Sequence, residues 1–118
     1  MSSSSEKSRL HRERRRLIRM FESTVPLAVG SVARVHRRCG NPRCRCRDGA
    51  GHPQVLFLFK EGIKRRCQLI RRADEKTMLE AGRRYREWRK AWRRLRAIEN
   101  RQKEIWLAEM KKRGIQYR

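Results

Sequence analysis

A chain of 118 residues with 34 lysines and arginines against 12 acids has a formal charge of +22 and, by length, room for one small domain. Leu, Ile, Val and Phe fill only 23 positions, which puts the chain at the compositional edge of folding and makes a stabilising metal or partner the natural expectation. The longest unbroken apolar run, Val55 to Phe59, is far too short to span a bilayer, and the opening residues do not resemble a cleavable signal peptide.

Residues 1–5 contain four serines with nothing to bury and are expected to be a disordered tail. A basic helix follows over 6–24. Leu10, Leu17, Ile18 and Phe21 form a narrow apolar stripe on it, with arginines at 12, 14, 15, 16 and 19 around the rest. The Ser- and Arg-rich opening also fits an organelle transit peptide, against which Glu6, Glu13 and Glu22 argue.

Residues 25–73 hold most of the apolar side chains and are expected to form a β domain. Ser31–Arg37 is rich in β-branched residues, Gln54–Lys60 is apolar through its middle and reads as a buried strand, and Lys64–Ile70 returns after the Glu61-Gly62 break. From Asp74, a good capping residue, a long basic amphipathic helix runs over 74–113 until Gly114 stops it. Its apolar stripe is Met78, Ala81, Tyr85, Trp88, Trp92, Leu95, Ile98 and Ile105, broken by Gln102. Counted from Tyr85 and Trp88, a strict heptad lands on Glu99 and Gln102 and fails, so the seam suits a globular partner or a short helical pair.

The densest chemistry lies between the first two strands, where Cys39, Cys44 and Cys46 fall within eight residues and His52 follows six later. Thiolates and imidazole are the usual ligands of tetrahedral Zn²⁺, and a turn on Gly40, Asn41 and Pro42 aims Cys39 and Cys44 at one point. Disulfides and free reactive thiols are the competing readings, but Cys44 and Cys46 are too close to pair without strain. The leading candidate for the fourth ligand is His52, beyond the glycine-rich 48–51 turn, with Cys67 and His36 as alternatives.

The string Cys39-Gly40-Asn41-Pro42-Arg43-Cys44-Arg45-Cys46, the His52-Pro53 pair, Gly30-Ser31, Arg34, Gly62 and a long charged helix with Tyr85 resemble a family of small prokaryotic proteins known as a domain of unknown function. The resemblance covers about residues 30–110. It favours His52 over Cys67 as the ligand, since the family lacks a cysteine at the place of Cys67, and it implies no activity. The chain departs from the family in having Pro53-Gln54-Val55 and Leu69-Ile70-Arg71 where an aromatic and a proline stand elsewhere.

Catalysis is not expected: the acids of the middle segment are only Asp48 and Glu61, both in predicted turns, and there is no metalloprotease helix motif, phosphate loop or serine elbow. The expected architecture is α+β, with a basic N-terminal helix, a three-stranded antiparallel sheet carrying a zinc-clip loop, and a long C-terminal helix. The expected function is non-catalytic binding of nucleic acid, DNA or RNA, in the cytoplasm. Arg37, Arg38, Arg43, Arg45 and Arg47 around the clip, with Arg83, Arg86, Lys90, Arg93 and Arg94 on the helix, are expected to contact phosphates. The alternative is a module that docks a protein partner, or its own copy, through Tyr85, Trp88, Trp92 and Leu95; a thiol redox sensor is a third reading.

Overall fold

A computed structural model describes residues 3–117. In chain order it contains helix α1 (Ser3–Phe21), strands β1 (Ser31–Arg37), β2 (His52–Glu61) and β3 (Lys64–Leu69), and helix α2 (Glu75–Arg113), with short 3₁₀ turns at Arg45–Asp48 and Arg72–Asp74. The α+β architecture is the one anticipated. Helix α1 starts at Ser3, so Ser3–Ser5 are helical and not part of a disordered tail; Met1 and Ser2 lie outside the described residues. Glu6 in the first turn favours that start, because a carboxylate there meets the positive end of the helix dipole.

The strands form one antiparallel sheet in the order β1-β2-β3. Ser31 pairs with Leu58 and Arg37 with His52 at the two ends of β1, while Glu61 pairs with Lys64 across a two-residue turn. Gly62 opens that turn at φ +65°, a conformation that glycine adopts without steric cost.

Two compact units emerge, each with its own core, where the length led us to expect one. In the first, Ala28, Val32, Val55 and Ala81 are buried, with Phe57, Ile70, Met78 and Leu79 packed around them. The opening turns of α2 thus cover the sheet face that carries Val32, Val55 and Phe57. Gly82 is what lets the helix approach: a Cβ there would lie 2.8 Å from that of Val32. One helical segment covers one face only. On the other, Leu58 is 46% and Leu69 57% exposed, so β2, expected to be buried throughout, buries Val55 alone fully.

The second unit pairs α1 with α2 from Trp88 onward around Leu10, Leu17, Ala91, Ile98 and Ile105. The helices run antiparallel, as four ion pairs show: Lys7 with Glu109, Glu6 with Arg101, Arg14 with Glu99 and Glu13 with Arg94. The α2 seam is Trp88, Ala91, Leu95, Ile98, Gln102 and Ile105, alternating steps of three and four, buried except for the half-buried Trp88 and Leu95. It is therefore a heptad after all, in a frame that a search for bulky residues misses because Ala91 and Gln102 occupy core positions. Trp92 stands beside this seam, 48% exposed.

Candidate metal centre

The loop between β1 and β2 converges by local hydrogen bonding. The Asn41 carbonyl accepts from the Cys44 amide at 3.0 Å, and the Asn41 side-chain Oδ1 accepts from the Arg43 amide at 3.0 Å, an Asx turn that folds the chain back on Cys39. The 3₁₀ turn is then closed by the Arg47 amide on the Cys44 carbonyl, 3.2 Å, and the Gly49 amide on the Cys46 carbonyl, 3.3 Å. Gly51 sits at φ +96°, and a Cβ there would lie 2.5 Å from the Arg37 carbonyl carbon. Only glycine lets the loop close this tightly against the end of β1, and closure delivers His52 opposite Arg37. The Asn-Pro pair and the glycine before the histidine were the sequence signals for Asn41 and Gly51.

The result is that the ligand atoms of Cys39, Cys44, Cys46 and His52 all lie within 4.8 Å of one another. Sγ of Cys39 is 3.4 Å from Sγ of Cys46, and Sγ of Cys44 is 3.1 Å from Nε2 of His52. The Cys39 amide also points at Sγ of Cys46, 3.4 Å away, an arrangement that stabilises a thiolate. Four ligands about 2.3 Å from a common centre would stand about 3.8 Å apart, so this donor set could hold a metal ion with small adjustments. Cys46 is buried, Cys44 half-buried, and Cys39 and His52 exposed.

The electrostatics favour thiolate at the loop entrance. A backbone hydrogen bond from Asn41, aided by Cys46, His52 and Cys44, brings the Cys39 thiol down to about 6. The amide of Cys39 pulls Cys46 the same way, but burial and the neighbouring thiols of Cys39 and Cys44 outweigh it and the Cys46 thiol is raised. The other two ligand candidates stand elsewhere: Cys67 is exposed in β3 opposite Leu58, and His36 is exposed opposite Pro53.

All ten expected phosphate-contacting residues are solvent-exposed. Around the loop, only Arg47 has a carboxylate nearby, Asp48 at 3.8 Å, among the described residues. On α2, Arg86, Lys90 and Arg93 recur at i, i+4 and i+7 without an ion pair among the described residues. Two others of the ten are already paired with carboxylates of the chain. Arg94 has its guanidinium fork closed on Glu13, at 2.6 and 2.8 Å, and Arg83 bonds Glu87 at 2.7 Å with Glu80 at 3.7 Å. A carboxylate one helical turn away, or on a partner helix, captures an arginine that a charge count leaves open.

Part of the tryptophan stripe packs within the chain. Phe21 of α1 packs edge-on against Trp88 and Trp92, with centroids at 5.2 and 5.6 Å, and the two indoles stack at 5.6 Å. Phe57 and Phe59 stack at 4.8 Å, Phe57 against the core, in keeping with a packing role. Among the described residues no helix is long and apolar enough to cross a membrane.

No curated protein and no solved structure matches this chain. A family model matches residues 7–80, from α1 through the sheet and the metal loop into the first turns of α2, and so begins and ends earlier than the resemblance of the motifs suggested. The chain belongs to the family described as a domain of unknown function (DUF6788).

Proposed function

We propose that this chain is a non-catalytic nucleic-acid-binding protein whose β unit is clamped by Zn²⁺ on Cys39, Cys44, Cys46 and His52. The observation that carries the reading is the placement of this Cys₃His cluster within one loop that also exposes Arg37, Arg38, Arg43, Arg45 and Arg47. Three thiolates and one imidazole are a closed structural donor set, in which no position is left open for a reacting ligand. When bound, the ion supplies cross-linking of β1, the 3₁₀ turn and β2, which a sheet with one covered face needs.

The carboxylates of the β unit support a binding role over a catalytic one, since Asp48 in the loop lies near Arg47 and Glu61, at the far end of β2, pairs with Arg66 at 3.0 Å. Guanidinium forks on a rigid loop match phosphate geometry, and Arg86, Lys90 and Arg93 add a basic strip on α2. The test is elemental analysis of the purified protein followed by titration of nucleic acid at several salt concentrations. About one zinc per chain and salt-sensitive binding support the reading; a metal-free folded protein overturns the clamp, and absence of binding at low salt overturns the function.

A further inference from the structure

Helix α1 segregates its charges. Its two carboxylates, Glu6 and Glu13, both face α2, where Arg101 clasps Glu6 at 2.5 and 3.0 Å and Arg94 clasps Glu13 at 2.6 and 2.8 Å. The opposite pole carries Arg12, Arg15, Arg16 and Arg19, at i, i+3, i+4 and i+7, all exposed and none in an ion pair among the described residues. Leu10 and Leu17, on the buried side, fix which way that pole points. A shallow groove of about 120 Å³ is lined by these four side chains.

Four arginines on one pole repel one another in the absence of anions, and the two carboxylates of the helix are clasped by arginines of α2, with only Arg16 of the four close enough to Glu13 to act on its charge. Such a stripe suits a ligand that brings its own regularly spaced negative charge. Along the axis the four span about 10 Å, at about 1.5 Å per residue. An α-helix with side chains is about 10–12 Å across and the major groove of B-form DNA is about 12 Å wide, whereas the A-form major groove is too narrow to admit side-chain readers. The pole carries no aromatic residue on which unpaired bases could stack.

We infer that Arg12, Arg15, Arg16 and Arg19 form a phosphate-binding surface that seats α1 in the major groove of duplex DNA. This rests on the nucleic-acid reading above and adds to it a surface and a substrate class. Arginines on exposed helix positions can be replaced by alanine with little loss of helix, since alanine is the best helix former.

The test uses the full-length zinc-loaded protein and a fluorescent random-sequence duplex DNA, with a structured RNA and a single-stranded DNA in parallel. Compared are the wild type, the quartet Arg12→Ala, Arg15→Ala, Arg16→Ala and Arg19→Ala, and the glutamine version of the same quartet, with helical content checked by circular dichroism. With about 0.9 counterion released per phosphate, losing four contacts should reduce the salt slope by three to four units. The drop in affinity between roughly 50 and 200 mM salt should then be about a hundredfold smaller than in the wild type. The glutamine quartet, which keeps polar length without charge, should behave like the alanine one. If duplex DNA binds and a folded quartet keeps the wild-type slope, the α1 surface is wrong while the nucleic-acid reading stands. Preference for the RNA or the single strand over the duplex also overturns this inference alone. No binding to any of the three at low salt removes both.

Discussion

Sγ of Cys44 lies 3.1 Å from Nε2 of His52, whereas Cys67 stands exposed across the β2–β3 pairing from Leu58. His52→Ala should therefore release the metal, and Cys67→Val should retain it with a thermal midpoint within about 3 °C of wild type, as exposed substitutions usually cost under about 0.5 kcal/mol. Metal content and thermal melting of the two variants check this. The reverse pattern would move the fourth ligand into the hairpin.

Because each unit has its own core, loss of the metal should act locally. Cys44→Ser is expected to erase amide-exchange protection in β1, β2 and β3 while protection persists at Leu17 and Ile98 in the helix pair. Hydrogen exchange read by mass spectrometry resolves the two. Unchanged protection in the strands would show that the clip does not hold the sheet.

Gly82 is the close contact between α2 and β1, with Val32 too near for any added carbon. Gly82→Ala gains about 1 kcal/mol of helix propensity but overpacks a junction whose neighbour is a β-branched side chain on a paired strand. Overpacking costs about 1–3 kcal/mol, so a net loss of up to about 2 kcal/mol is expected in a denaturant melt.

Local patterns made much of this structure readable in advance. Cysteine spacing, the Asn41-Pro42 turn and the glycines before His52 determine the metal loop within fourteen residues, and β-branched runs broken at Gly62 determine the hairpin. What escaped involves partners far apart in sequence. That α1 packs on α2, that Glu13 takes Arg94 and that Phe21 takes the tryptophans depend on residues more than sixty positions apart, for which no local periodicity speaks. The half-exposed β2 escaped for a related reason: an apolar run shows that a strand can be buried, while the number of covering layers decides whether it is.

The clasps between the helices predict an acid response. Hydrogen bonds from Arg101 to Glu6 and from Arg94 to Glu13 hold both carboxyls below the usual glutamate range. A lowered folded-state value means that the contribution is complete above the unfolded value of about 4.3 and fades as pH falls through the folded-state values. Helical circular dichroism of the α1–α2 pair should decline below about pH 4, and the variant Glu6→Gln, Glu13→Gln should be less stable at neutral pH with a shallower acid response. An acid profile identical to wild type would remove these pairs from the account.

The most direct measurement of the proposed function is the salt dependence of nucleic-acid affinity for the zinc-loaded chain, compared with Arg43→Ala, Arg45→Ala and Arg47→Ala combined. If about six phosphates are contacted, affinity should fall on the order of a thousandfold between roughly 50 and 200 mM salt, and the triple variant should flatten the slope by up to about three units without altering sequence preference. Failure of the metal-loaded protein to bind any nucleic acid at 50 mM salt, roughly the lower end of that range, would contradict the account.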